Sequence, residues 1–480
     1  MQEKTLSINF FNGGLSAGSK IGLQGSFRFA RGCNIHEDPD KLQINPASTK
    51  DSGSTITGLI SFSTTNNVNS NLYFGDSDGK LYKRTGAGVW STVNTFASGI
   101  VGLSFFSGTN LVYGTAGDIQ FTLNPSDDTI VTSYRTLDSS SYHLSEPFLD
   151  KIFTGNARQL VSTDASALDG DETTVGSGIT IDYNYEIRCL KNLGNWLFIG
   201  ASSDNSSDAK WFIWDGFSAN YNFSRSLKGE EGINAVEIAD DGTVLIFAGK
   251  KGSIYQLVSI DSPLAKIDTI PKIELNKTVE IYPRATANYQ SNLVFGLSTG
   301  TTVTGERGVY SWASKDHNYS KVLNMDYIIS TATTIGTTLQ IGNLLSPNST
   351  DLFVSWRDGS DYGVDLISGS GVQTTAVYQT LIHDSQRPNQ EKYYKNIQLK
   401  FAGVLKTGEE IELSYKADRA SSWTSIGTAT FTSDGAINHK SFKPNIRAKE
   451  IEFQLEWTNS GSTGASVDSM VVLFEEEELE

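Results

Sequence analysis

The chain has 480 residues, with 38 lysines and arginines against 54 aspartates and glutamates, a formal charge of −16 and 38% apolar residues. That surface repels a phosphate backbone at long range and argues against tight nucleic-acid binding, while the apolar fraction is ample for real cores. Cys33 and Cys189 are too few for a disulfide framework and read as buried or half-buried thiols. No apolar run reaches ~18 residues, so no membrane-spanning helix is expected. The opening MQEKTLSINFF lacks the apolar core of a signal peptide, and synthesis in a cytoplasm without export is the simplest inference.

The first 50 residues are glycine-punctuated, with apolar anchors at Phe10, Phe11, Leu15, Ile21, Leu23, Phe27 and Phe29. Residues 1–50 are expected to lie extended along the domain that follows, or along a neighbour, without a core of their own. They are also placed to lend that domain a closing strand.

From residue 51 one phrase recurs: an apolar strand, a small residue or glycine, a turn, then a strand carrying an aromatic. It reads NLYFGDSDGKLYKR at 71–84, NLVYGTAGDIQFTL at 110–123 and TVLIFAGKKGSIYQL at 243–257. Other copies begin NWLFIG at 195 and NLVFG at 292, with a degenerate one, DLFVSWRDG, at 351. From Gly75 through Gly114, Gly200, Gly249 and Gly296 to Arg357 the steps are 39, 86, 49, 47 and 61 residues. The long step is about two periods, so a weaker unit is expected near 144–186, with KIFTGNARQLVSTD as its remnant. Each unit has an apolar strand upstream, such as ITGLISFS, GIVGLSFFS, YEIRCLKNL and INAVEIADD. About four short strands every 40–50 residues is the spacing of a propeller blade. The fold expected is therefore all-β, a divergent β-propeller of about seven blades over residues 51–388. In NLYFGDSDGKLYKR the glycine is read as supplying positive φ at the hairpin turn.

A polar break at DSQRPNQEKYY precedes a different rhythm. KNIQLKFAG, EEIELSYKAD, WTSIGTATF, KEIEFQLEW and SVDSMVVLF alternate with period two and predict a C-terminal antiparallel β-sandwich over 389–475. The acidic residues at 476–480 read as a solvated tail.

Chemistry is sparse along this chain. His36, His143, His317, His383 and His439 are scattered singly, without the spacing of metal ligands. The clusters around His36, Glu37, Asp38 and Asp40, and around Asp76 and Asp78, offer oxygens without completing a calcium ladder, and read as Asx turns. Trp90 and Trp423 stand outside any sialidase-like frame, and Asn205, Asn222, Asn276, Asn318 and Asn348 open N-x-S/T triplets of the kind so Asn-, Ser- and Thr-rich a chain produces by chance. No catalytic residue, cofactor or metal is expected, and the chain is read as non-enzymatic.

FNGGLSAGSKIGLQGSFRFARGCNIHEDPDKLQI resembles the start of structural proteins of tailed-phage virions, including the propeller-bearing nozzle proteins of short-tailed phages. KNIQLKFAGVLKTGEEIELSYKADRASSWTSIG and KEIEFQLEWTNSGSTGASVDSMVVLFE resemble the C-terminal sandwich of the same group. The resemblance implies a tail or tail-tip component of the virion, assembled in the bacterial cytoplasm as a homo-oligomeric ring, hexameric as a working number. Its partners would be other tail proteins, with transient passage of DNA free of sequence-specific binding. Two other readings remain on the sequence: a receptor- or glycan-binding adsorption protein meeting the host surface, and a propeller-fold carbohydrate-active enzyme.

Overall fold

A computed structural model describes residues 2–16, 24–164, 176–203, 208–258, 267–269, 279–299, 308–314, 320–330 and 339–476. They are almost entirely strand. The one α-helix among them is the single turn Phe431–Asp434, capped by Thr430, and no helix is long and apolar enough to cross a membrane. The chain divides into two compact units. One comprises Thr49–Arg307 and Thr331–Leu366; the other comprises Met1–Ser48, Gly308–Ser330 and Ile367–Glu480.

The first of these units is a run of antiparallel meanders. The opening sheet is Ile60–Thr64, Leu72–Asp76, Lys80–Gly86 and Val89–Thr95, in chain order. Four more four-stranded sheets follow in the same order, starting at Ile100–Phe106, Ser145–Phe148, Tyr185–Asn192 and Ile233–Ile238. The second of these four, which starts at Ser145–Phe148 and ends at Gly176–Thr180, occupies the stretch in which a weak repeat was expected. A hairpin of Thr286–Tyr289 with Asn292–Gly296 comes next. A last sheet has Leu339–Leu345, Leu352–Asp358 and Asp361–Ile367, and takes its fourth strand, Thr49–Lys50, from ahead of the first. The first strands of these seven elements touch in succession, and Leu339–Leu345 in turn touches Ile60–Thr64.

A repeated device seats most of the first strands. The pairing register slips after Ile60, Ile100, Ile187, Ile233 and Ile341, so five first strands carry a β-bulge immediately after an isoleucine. Four of those isoleucines press on a glycine in the second strand of the preceding element. A Cβ on Gly75 would meet Ile100 Cγ2 at 2.5 Å, and one on Gly296 would meet Ile341 Cγ2 at 2.1 Å. Gly200 faces Ile233 at 2.6 Å and Gly155 faces Ile187 at 3.0 Å. In NLYFGDSDGKLYKR the positive φ expected at the turn belongs to Gly79, at 87°, whereas Gly75, Gly114, Gly200 and Gly296 serve another purpose. All four lie inside strands without positive φ, and close approach is what they permit. Of the landmark glycines Gly249 has a positive φ, 66°.

In the other unit, Gln2–Ile8, Val467–Glu476, Lys392–Phe401 and His439–Phe442 form one sheet in that order, with Ile446–Ala448 also paired to Lys392–Phe401. In a second, Phe27–Arg31 pairs with Thr375–Thr380, followed by Ile451–Asn459, Glu409–Ala417 and Thr424–Thr430. One buried cluster draws on both sheets: Tyr394, Ile397, Val472 and Phe474 from the former, and Tyr378, Leu413, Phe453 and Trp457 from the latter. The alternation of apolar and polar positions supplies that face, since successive strand residues point to opposite sides.

The N-terminal residues up to Ser48 belong to this two-sheet unit. Gln2–Ile8 is a strand paired in full register with Val467–Glu476, from Gln2 opposite Glu476 to Ile8 opposite Met470. Phe11 and Phe27 are part of the shared core. Ile21 and Leu23 lie outside the described residues. Glu476, read as the start of a solvated tail, instead ends a strand: it is buried and accepts from Lys4 at 2.7 Å and Arg387 at 2.9 Å, and its neighbour Glu475 meets Lys395.

Candidate functional site

Polar groups meet along and beside the first strands of the meander unit. Arg188 is the residue at the bulge of Tyr185–Asn192; its guanidinium lies 3.8 Å from Glu280 and 5.5 Å from the ring centre of Tyr142. Tyr282 accepts from Gln340 Nε2 at 3.1 Å. Further along the same strands Lys191 pairs with Glu237 at 2.6 Å, and Thr286 donates to the other Glu237 oxygen at 3.1 Å. Arg284 reaches Glu146 at 3.1 Å and the Ser145 carbonyl at 3.0 Å, while Asn192 N–H donates to the second Glu146 oxygen at 3.1 Å. Each carboxylate of this lining group therefore meets a cation from another segment of the meander unit. Burial pushes the Glu280 carboxyl up and Arg188 pulls it back. Such an arrangement is charge-balanced, and it ties successive sheets to one another.

None of these residues was singled out from sequence. Arg188 and Lys191 sit inside YEIRCLKNL, a stretch read only as an apolar strand. A charged residue within such a strand was the available signal.

The residues that were singled out are placed apart, most of them in local structural roles. Asp76 is fully buried and accepts from Asp78 N–H at 3.0 Å, Lys80 N–H at 2.7 Å and the Tyr82 hydroxyl at 3.0 Å. That is a turn clamp. Asn34 Oδ1 accepts from the N–H groups of His36 and Glu37, and Asp38 accepts from Asp40 N–H and Lys41 Nζ. Trp90 donates to Asp51, and Trp423 lies under Lys416 Nζ. Buried His143 contacts the Gly155 carbonyl, His383 meets Ser385, and His439 meets Asn438. Cys33 and Cys189 are both buried and unpaired with each other. Among the described residues, no group of three His, Cys, Asp or Glu is placed to hold a metal ion. His317, Asn205, Asn276 and Asn318 lie outside the described residues.

One grouping imitates catalytic machinery. His36 Nε2 is 2.8 Å from Ser311 Oγ and 4.0 Å from Asp326 Oδ1, with all three buried. A hydrolytic triad needs serine and carboxylate on opposite ring nitrogens, whereas here both address Nε2. Asn324 Nδ2 donates to Asp326 and to the Cys33 carbonyl, and Asn45 Nδ2 to the Asp326 carbonyl, so the group knots residues 33–45 to 311–326. Burial holds the imidazole below its ordinary value against the pull of Asp326, and burial pushes the Asp326 carboxyl up.

The sign of the pH effect follows. A histidine depressed in the fold stabilises above its unfolded value of about 6.5, and the contribution is lost as pH falls through the folded value. Asp326 acts oppositely: its contribution is present below the unfolded value and lost as pH rises through the raised one. Replacing His36 by glutamine should therefore flatten the drop in thermal midpoint between about pH 7.5 and about pH 5.5. Parallel melting curves for the two proteins across that range would remove the histidine from the account.

Fold and lining together define an all-β protein of repeated antiparallel meanders joined to a two-sheet unit. No family model matches the chain, and no curated protein matches it. Among solved structures it is similar to the WD40 β-propeller domain of Doa1, at 12% identity over 68% of this chain and 96% of that one, with a TM-score of 0.47. It is also similar to Kuenenia stuttgartiensis hydrazine synthase, at 10% identity over 66% and 96%, with a TM-score of 0.46. The computationally designed Ika8 protein matches at 12% identity over 65% and 97%, with a TM-score of 0.40. These likenesses are too loose to carry an argument about function.

Proposed function

We propose that the chain is a non-enzymatic structural subunit of a phage tail or tail tip, built as a seven-bladed β-propeller with an appended β-sandwich. The observation that best supports the scaffold part is the succession of seven first strands, the last touching the first, with Thr49–Lys50 supplying the fourth strand of the last sheet. Joining an early strand to a late sheet holds a repeat array closed, as a clasp would, because neither edge is left to peel. The charge-balanced lining supports the same reading, since its ionisable groups are engaged with one another.

The virion part rests on the resemblance of residues 11–44 and of the C-terminal strands to tail proteins. In this reading the copies form a ring around the genome path, held by apolar contacts and strand pairing between subunits. The acidic excess faces that path and keeps DNA phosphates from being held. Recombinant protein at micromolar concentration should then sediment and image as closed rings, with a mass near six times the 52.2 kDa of the chain. A protein that stays monomeric, or that forms open filaments, would count against the ring.

A further inference from the structure

A pocket of about 390 Å³ opens in the two-sheet unit, lined by Arg28, Ile382, Lys416, Arg419, Ser421 and Glu452 among others. Its floor crosses one sheet. Lys416 lies opposite Glu452 in the strand register, and Arg28 Nη1 donates to both Glu452 oxygens, at 3.0 and 2.7 Å. Glu452 is almost wholly buried, whereas Arg28 is 45% exposed. Lys416 is held from the side by Trp423, its ammonium 4.6 Å from the ring centre.

The third cation is placed at a conformational cost. Asp418 and Arg419 are consecutive non-glycine residues in the left-handed region, with φ of 49° and 61°. Such pairs persist only where the surroundings over-determine them. Here Asp418 Oδ1 accepts from the N–H groups of Lys449 and Glu450 at 2.8 and 3.0 Å, and Asp418 N–H donates to the Glu450 carbonyl at 2.9 Å. Arg419 engages Glu450 through Nε alone, at 3.0 Å, and its side chain is 67% exposed. The turn is rigid, and it carries a guanidinium to the pocket rim.

The charges select the ligand. Of the three cations that line the pocket, Arg28 is bound to Glu452 and Arg419 to Glu450, which leaves the Lys416 ammonium as the excess positive charge at the pocket in a chain of net −16. That excess suits a monoanion, while the buried Glu452 disfavours a phosphate dianion. A buried carboxylate beside cations also accepts hydroxyl groups, and Ile382 gives an apolar surface for C–H groups. We propose that this pocket binds the carboxylate-bearing sugar of an acidic polysaccharide. Lys416 and Arg419 take the carboxylate, Glu452 the ring hydroxyls, and Ile382 the apolar sugar face.

This site is independent of the tail assignment: particle images report on assembly, and a titration of the full chain reports on the pocket. The probes are trigalacturonate, neutral galactotriose and inorganic phosphate, followed by calorimetry. Trigalacturonate should bind with Kd of ~1 mM or tighter, with galactotriose and phosphate each at least ~10-fold weaker. The Lys416→Ala/Arg419→Ala double variant should lose ~10-fold or more in affinity, a loss of about 1.4 kcal/mol. Arg419→Lys, which keeps the charge, should retain most of the binding, and near-ultraviolet dichroism shows whether each variant is folded. No heat with trigalacturonate up to ~10 mM, equal binding of galactotriose, tighter binding of phosphate, or an unchanged Kd in the folded double variant would each overturn the proposal.

Discussion

Gly296→Ala should destabilise the protein more than any other glycine-to-alanine change among the strand glycines packed on isoleucine. The added Cβ would sit 2.1 Å from Ile341 Cγ2 and 2.5 Å from Ile341 Cβ, and neither neighbour is the free end of a flexible side chain. Overpacking of this kind costs about 1–3 kcal/mol, and this position belongs at the upper end. The same contact at Gly75, with Ile100 Cγ2 at 2.5 Å, should cost somewhat less, and Gly155, with Ile187 Cγ2 at 3.0 Å, least. Gly194 serves as a control of another kind: φ is +82° and nothing lies within 4 Å. Alanine there costs about 1 kcal/mol through backbone strain alone. Urea midpoints give the ranking. A double-mutant cycle gives the cause, because Ile341→Ala should relieve part of the Gly296→Ala penalty and leave the Gly194→Ala penalty intact. If the ranking does not follow the distances, or the cycle shows no coupling, the isoleucine-on-glycine contact does not seat the sheets.

That contact also marks how far the repeat could be read from the sequence. The four-strand rhythm was legible because each unit repeats alternation and turn chemistry within 40–50 residues. Its glycines were legible as landmarks, but their purpose was not, because the atoms they make room for belong to the following unit. Ile100 is 25 residues beyond Gly75 and Ile341 is 45 beyond Gly296, and no local pattern connects them. The bulges were invisible for a related reason: a register slip is a property of two strands. Period-two alternation gave the C-terminal strands directly, whereas the pairing of Gln2–Ile8 with Val467–Glu476 joins segments that share no local signal.

The same limit governs the sites. Arg188 and Glu280 are 92 positions apart, and Arg28 and Glu452 are separated by 424. Turn clamps such as Asp76 were readable because donor and acceptor lie within a few residues. Ion pairs that span sheets are set by topology, so sequence reasoning named the local carboxylates and passed over the ones that converge.

Lys392→Met should be the most damaging single change in the two-sheet unit, at about 3 kcal/mol or more. The stretch DSQRPNQEKYY looks like a polar break in the sequence, yet the structure winds it around a buried ammonium. Lys392 is fully buried, and its Nζ donates to the carbonyls of Arg387 at 2.8 Å, Gln390 at 2.9 Å and Lys449 at 2.7 Å. Burial lowers the lysine's affinity for its proton against the pull of the Asp384, Glu476, Asp418 and Glu450 carboxylates, and the three carbonyls give the ammonium its hydrogen bonds. Two turns make the wrap: Asp384 accepts from Gln386 N–H and Arg387 N–H, and Gln390 N–H donates to the Arg387 carbonyl. Methionine fills a similar volume but donates nothing, so the Gln390 and Lys449 carbonyls lose the ammonium, each costing about 1–3 kcal/mol if left without a donor, while the Arg387 carbonyl keeps the Gln390 N–H. Arginine carries the charge in a planar fork that does not match three carbonyls converging on one nitrogen, so Lys392→Arg should rescue little. Hydrogen exchange in the full-length protein locates the damage: amides of residues 384–391 and 446–451 should exchange faster, with the meander unit unchanged. A Lys392→Met protein within ~0.5 kcal/mol of wild type would show that the ammonium is an incidental guest of the loop and not its organising centre.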